Sequence, residues 1–301
     1  MTTITGSNGS DLLTGTAGSD TINSGNGDDS VSGGAGNDSL NGGAGNDTLD
    51  GGSGSGQLNG GSGDDTLIYN VSENIPAGTK DVYTGGSGAD TLQLQFTRAQ
   101  WLDSATQTQI AAYLAHLAAV TNVRTGEVSN GSASDFVFSF GSSTLTVQMT
   151  ETLRILVDGV EVNPANEAAT ALGDAGATTE DGPGIQIHVL QNDLVPDLVK
   201  SLTLASAPTH GTATLVQPSM GDPLTWHFQY QPHVADFQYL AAGESATDTF
   251  SYEVTDADGN TGLASVTVTI TGTNDGPVIT AHDLAGAESE QVAPVGNLSD
   301  S

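Results

Sequence analysis

GGAGNDSLN (33–41) and GGAGNDTLD (42–50) are one nine-residue unit written twice, and that period decides the fold. Reading outward, GSNGSDLLT (6–14), GTAGSDTIN (15–23) and SGNGDDSVS (24–32) precede the pair. GGSGSGQLN (51–59) and GGSGDDTLI (60–68) follow in unbroken register, and GGSGADTLQ (85–93) returns after a break. The fourth column is Gly throughout: Gly9, Gly18, Gly27, Gly36, Gly45, Gly54, Gly63 and Gly88. Such a column implies a positive φ or a very close backbone approach. The eighth column is aliphatic (Leu13, Ile22, Val31, Leu40, Leu49, Leu58, Leu67, Leu92), one inward side chain per short strand. The sixth column reads Asp11, Asp20, Asp29, Asp38, Asp47, then Gly56, then Asp65 and Asp90. Each unit is therefore a turn of six residues and a strand of three, with a carboxylate closing the turn. A flexible Gly/Ser linker does not hold Leu and Asp in phase. A phosphate-cradling loop needs a lysine where these units place Asp.

The chain has 301 residues, with 36 Asp plus Glu against 5 Lys plus Arg, a formal charge of -31. A surface this acidic repels phosphate backbones, which excludes nucleic acid as a partner, and it disfavours anionic membranes. With no cysteine there is no disulfide framework and no thiolate ligand or nucleophile. Oxygen-rich, sulfur-free chains suit hard cations such as Ca²⁺. No apolar run is long enough to span a bilayer. MTTITGSNGS lacks a basic and then apolar opening, so no cleaved secretory peptide is expected.

The nonapeptide pattern resembles the RTX (repeats-in-toxin) calcium-binding repeat GGxGxDxUx. The resemblance implies a parallel β-roll with two units per turn. It also implies Ca²⁺ between successive turns on one side, held by the sixth-column Asp and by loop carbonyls, here of Gly9, Gly18, Gly27, Gly36, Gly45 and Gly63. On this basis Asp11, Asp29, Asp47 and Asp65 line one edge and Asp20 and Asp38 the other. Gly56 interrupts the second edge and leaves a weaker or missing site beside Asp38. Asp90 closes the series and serves one site where Asp29 and Asp47 serve two. Residues 1–93 carry twelve acids and one base, Lys80. The metal-free form is therefore expected to be largely disordered, with Ca²⁺ supplying the folding free energy.

From Tyr69 the register fails, and 69–84 read as an excursion before the repeat resumes, giving a roll over 6–96. A helix over 103–120 follows, with Ser104 and Gln107 as a capping box and Ile110, Tyr113, Leu114 and Leu117 on one face. Strands at 135–140 and 143–149 come next, then a hairpin turning at Asp158–Gly159. Residues 97–163 thus read as a helix-and-strand cap on the open end of the roll. Partner binding by its apolar surface is the alternative.

Residues 164–179 read as a polar linker. Short alternating strands over 180–277 then indicate a β-sandwich. TEDGP, VLQND, APTHGTATL, DTFSYEVTDADGN and VTVTITGTNDGP together resemble the VCBS and bacterial cadherin-like repeats of large secreted adhesins. That resemblance implies Ca²⁺ at the strand ends, here at Glu180, Asp181, Asp256, Asp258 and Asp275. Residues 278–301 look like the start of a further repeat, cut off. His188 and His227 alternate with apolar neighbours and are expected to face outward. Trp226 and Tyr230 read either as core or as sugar platforms.

The fold class expected is mainly β: an RTX β-roll with its cap, then a cadherin/Ig-like sandwich. No HExxH or GxSxG motif appears, and no enzyme is expected. The resemblances imply a secreted or cell-surface calcium-binding structural and adhesion protein, with glycans or proteins of surfaces or matrix as partners and no membrane insertion. The alternative is the export-and-folding module of a type I-secreted toxin or hydrolase. With the repeats beginning at residue 6, no catalytic head is expected before them.

Overall fold

A computed structural model describes residues 1–75, 78–128, 131, 133–219 and 221–274. Its first strands are β1 (Thr2–Thr5), β2 (Leu12–Thr14), β3 (Asp20–Asn26), β4 (Ser30–Ser32), β5 (Ser39–Ala44), β6 (Thr48–Asp50), β7 (Gln57–Ser62) and β8 (Thr66–Asn70). Odd and even strands separate into two parallel sheets, because each nonapeptide turns the chain to the opposite face. Ile22 pairs with Leu40 and Leu40 with Leu58 in one sheet, and Val31 with Leu49 and Leu49 with Leu67 in the other. Two units therefore make one turn, and the eighth-column side chains from Ile22 to Leu92 are buried between the sheets.

The second- and fourth-column glycines from Gly25 onward hold positive φ, as at Gly43 (107°) and Gly45 (124°). A Cβ at Gly45 would strike the backbone of Gly27 one turn away, so stacking at this spacing requires glycine. Gly9 and Gly18 depart from this expectation. Neither has positive φ, and a Cβ on either would meet no backbone of another turn.

The expected excursion is shorter than it reads. Helix α1 (Val71–Asn74) is inserted, and β9 (Lys80–Ser87) already re-enters the sheet, with Leu58 opposite Tyr83. Tyr83 takes the eighth column and Asp81 the sixth. The unit is hard to see because Thr79 stands where the fourth-column Gly should be and an aromatic replaces the aliphatic.

β10 (Thr91–Phe96) leads into α2 (Arg98–Trp101) and α3 (Ser104–Val120). The capping box belongs to α2, where Thr97 and Gln100 exchange bonds, and α3 is capped by Asp103 instead. Ser104 lies one residue inside the helix, so it cannot serve as the cap. Gln107 turns inward to donate to the Trp101 carbonyl. β11 (Phe136–Phe140) and β12 (Ser143–Gln148) extend one sheet, and β13 (Thr152–Val157) and β14 (Val160–Val162) extend the other. Each sheet thus ends in an antiparallel hairpin, with the second turning at Asp158–Gly159. Ile110, Tyr113 and Leu117 of α3 join the same apolar core as the roll.

The second region has β15 (Asp174–Thr179), β16 (Ile185–Ile187), β17 (Val199–Ser206), β18 (Gly211–Val216), β19 (His227–Pro232), β20 (Ser245–Asp256) and β21 (Thr261–Thr271). They form a four-stranded sheet, β15-β21-β20-β17, and a three-stranded sheet, β16-β19-β18. Residues 174–179, which read as linker, are strand β15 paired in parallel with β21. Their Ala, Gly and Thr side chains carry too little hydrophobic signal to reveal a strand.

Trp226 and Tyr230 are buried between the sheets, so neither is a sugar platform. His227 is also buried, contrary to expectation, and its ring lies 5.0 Å from that of His188. His188 caps a short 3-10 turn instead of sitting in a strand, which breaks the alternation the sequence suggests. The proposed further repeat at 278–301 lies outside the described residues.

Candidate metal centre

The sixth-column carboxylates form two ladders along the edges of the roll. On one edge the backbone N–H of Asp11 donates to Asp29 Oδ1 (2.7 Å), Asp29 to Asp47 (2.8 Å), Asp47 to Asp65 (2.8 Å) and Asp65 to Asp90 (2.8 Å). Asp90 does not end the series. Its N–H donates to Glu151 Oε2 at 2.7 Å, so the cap supplies one more carboxylate. On the other edge Thr2 donates to Asp20 and Asp20 to Asp38, both at 2.8 Å. Gly56 then has no carboxylate to offer, and its own N–H donates to Asp81 Oδ1 at 2.6 Å. Neither Asp81 nor Glu151 belongs to a nonapeptide that shows the Gly and aliphatic columns. Pairing Gly56–Gln57–Leu58 with Asp81–Val82–Tyr83 would have exposed the first. Only the register of the folded sheet exposes the second.

The ladder uses one oxygen of each carboxylate. The other, Oδ2, is buried and without a hydrogen-bond partner in Asp29, Asp38, Asp47, Asp65, Asp81 and Asp90. Buried carboxylate oxygens are costly unless paired or bound to a cation. The first two units differ. Ser7 donates to Asp11 Oδ2 through its N–H (2.6 Å) and hydroxyl (2.9 Å), and Thr16 does the same for Asp20 (2.6 and 2.8 Å). Where the second column is Gly, no hydroxyl is present and the oxygen is left free. A Cβ on the first-column Gly33, Gly42, Gly60 or Gly85 would fall against that same Oδ2. The glycines thus keep open a cradle lined by oxygen.

Electrostatics follow the same division. Thr16's backbone and hydroxyl bonds pull Asp20 down to about 2. Burial pushes Asp65 up to about 7 and Asp90 up to about 6, with neighbouring carboxylates adding to both. Burial also raises Asp38, Asp47 and Asp81. Among the described residues no three His, Cys, Asp or Glu side chains converge on one point. Each turn brings one carboxylate oxygen, and the remaining ligands of a cation held there must be carbonyls. That donor set, oxygen only and flexible in number, fits Ca²⁺.

At the interrupted edge the turn beyond Gly51–Gly56 is replaced by a side chain. At Gly27, Gly36, Gly45 and Gly63 the fourth-column N–H donates to a third-column carbonyl of the next turn, as Gly36 does to Ser53 (2.8 Å). Gly54 donates instead to Asn74 Oδ1 (3.1 Å), and Asn74 Nδ2 donates to the Gly52 carbonyl (3.3 Å). The fully buried Asn74 amide thus takes the place of the missing peptide group.

Residues 5–40, 23–58, 32–67 and 78–93 match the RTX calcium-binding nonapeptide repeat, and residues 166–271 match the bacterial Ig domain. The chain carries an RTX calcium-binding region and a bacterial Ig domain. The RTX repeat is a calcium-binding module, and neither family is catalytic. This composition is consistent with a calcium-binding structural or adhesion protein. No curated protein matches the chain. Among solved structures, the crystal structure of protocadherin gamma C5 EC1-3 is similar at 15% identity and a TM-score of 0.28, over 44% of this chain and 40% of that one.

In the Ig domain the candidate ligands fall into two groups. Glu180 is buried and accepts from the Thr273 N–H (2.7 Å), while Asp181 accepts from the Thr273 hydroxyl (3.0 Å). Asp275, expected beside them, lies outside the described residues. Asp256 is also buried, and both its oxygens are engaged by Asn260 (2.8 and 3.0 Å). Asp258 lies on the same loop, facing Asp197, a residue that no sequence motif singled out.

Proposed function

We propose that this is a segment of a secreted or cell-surface adhesion protein whose RTX roll folds on binding extracellular calcium. Residues 6–96 act as the calcium-dependent roll, 97–163 as its cap, and the bacterial Ig domain as a stiff spacer toward partners on surfaces or in the matrix. The observation that carries this reading is the column of buried, unpartnered Oδ2 atoms at Asp29, Asp38, Asp47, Asp65, Asp81 and Asp90. A bound Ca²⁺ supplies the positive charge that lets neighbouring turns stack with their carboxylates ionised. The protein supplies the rest: glycines that let the turns approach, and backbone N–H groups that orient each carboxylate.

Calcium is scarce inside cells and abundant outside, where extracellular modules of this kind bind at roughly 10⁻⁴–10⁻³ M. The chain would then leave the cell unfolded and close once outside. Calcium titration of the full chain followed by circular dichroism tests this, with Mg²⁺ as control. A cooperative gain of β-structure with Ca²⁺ and not with Mg²⁺ is expected. A roll equally ordered in chelator would refute the reading.

A further inference from the structure

The roll's cap and the Ig domain meet at a junction built around Asp197. Trp101 of α2 donates from Nε1 to the Asp197 carbonyl (3.0 Å), and the Arg98 guanidinium donates to the Val199 carbonyl. Leu198, between them, is held at φ 77° and packs into the core of the roll and cap, as does Ala257 from the facing loop. The Asp197 side chain is fully buried, and neither carboxylate oxygen has a hydrogen-bond partner. The charge it faces first is Asp258, followed by Asp256, with the Glu167 backbone amide nearby. The cation nearest Asp258 is Lys200, whose Nζ lies 3.5 Å from the Ala257 carbonyl and whose charge reaches Asp258.

We propose that Asp197 and Asp258 form a divalent-cation site at the junction of the cap and the Ig domain, binding calcium through oxygen. A buried carboxylate with a second one beside it is repelled unless a cation or a shared proton lies between them. Asp256 is committed to Asn260, so the binding pair is Asp197 and Asp258, completed by carbonyls and water. The half-buried Asp258 lines a cleft open to solvent with Gln107, Asn166 and Lys200, which gives an ion its way in. Because Trp101 holds the Asp197 backbone, an ion here ties the orientation of the Ig domain to the cap. The inference uses none of the roll's ladder residues.

Terbium in place of calcium tests it on the full chain, with emission read on selective tryptophan excitation. Trp101 touches the residue that would hold the ion, so wild type should give tryptophan-sensitised emission. Asp197→Asn and Asp258→Asn should each remove most of it and reduce bound calcium by one ion in equilibrium dialysis. Asp29→Asn should leave the tryptophan-sensitised signal in place while weakening the roll's calcium-induced change in circular dichroism. That dichroism change should survive in the two junction variants, which shows that they still fold. Absent emission from wild type, or unaltered emission and stoichiometry in both junction variants, would overturn the site and leave a shared proton between the two carboxylates.

Discussion

The backbone N–H of Gly56 donates to the Asp81 carboxylate at 2.6 Å, across an insertion that breaks the nine-residue register ahead of Asp81. Asp81 therefore continues the ladder that Gly56 itself breaks. Asp38 is left with no sixth-column carboxylate in the next turn. A Cβ at Gly56 comes nearest Leu58 Cδ1 (3.3 Å) and Asp81 Oδ1 (3.4 Å), with Gly51 Cα at an ordinary 3.8 Å, so a side chain fits after a small shift.

Gly56→Asp should have opposite effects in the two metal states. With calcium, the added carboxylate completes the edge beside Asp38 and should lower the calcium midpoint. In chelator it faces Asp81, and a like pair about 4 Å apart costs roughly 1–4 kcal/mol. Calcium titrations and urea unfolding in chelator read both signs. A midpoint that rises would show that Gly56 is not a vacant ligand position.

Asn74→Ala should destabilise the roll even in saturating calcium. It leaves the part-buried Gly54 N–H and Gly52 carbonyl without their partner, at about 1 kcal/mol each. Asn74→Asp should not rescue, since a carboxylate cannot donate to Gly52. Urea denaturation in excess calcium measures the loss, and no change for Asn74→Ala would mean that the edge closes without the amide.

Asp90→Ala should raise the calcium midpoint about as much as Asp47→Ala. Asp47 accepts the Asp29 N–H and Asp90 the Asp65 N–H, both leave Oδ2 buried and free, and Glu151 extends the ladder beyond Asp90. Losing a charge-assisted bond of about 1.5–3 kcal/mol corresponds to roughly 10- to 150-fold. Asp11→Ala should have the smaller effect, because Ser7 already satisfies its second oxygen. A much milder Asp90→Ala would place the end of the metal edge at Asp65.

Acid should partly replace calcium. In the closed roll Asp65 is pushed up to about 7 and Asp90 up to about 6, against 3.8 when exposed. The closed form then holds protons that the open form has released, so this stability is present at low pH and is lost as pH rises through the folded values. In chelator, lowering the pH from about 8 to about 5 should increase β-structure, and over the same range the calcium affinity should fall as protons compete. A metal-free roll that loses structure over that range would contradict the placement of these carboxylates.

The repeat made the roll legible because each column encodes one physical demand: glycine for close approach, an aliphatic for the core, Asp for the edge. Legibility ended where one demand was met by a different residue. Tyr83 fills the core position of a unit that lacks its fourth-column glycine, and Asn74 replaces a peptide bond with a side-chain amide. Glu151 reaches the ladder from a cap with no repeat at all. In the Ig domain, alternation revealed β19, β20 and β21 because their inner faces are large and apolar. β15 was hidden by its small side chains. Asp197 was hidden because its partner, Asp258, lies 61 positions along the chain.

The most direct test is hydrogen–deuterium exchange on the full chain, compared in excess calcium and in excess chelator. With calcium, amides across residues 20–96 should exchange slowly. With chelator they should exchange freely while strands β17, β20 and β21 of the Ig domain stay protected. Equal, slow exchange across the roll in both conditions would contradict the claim that calcium binding drives its folding.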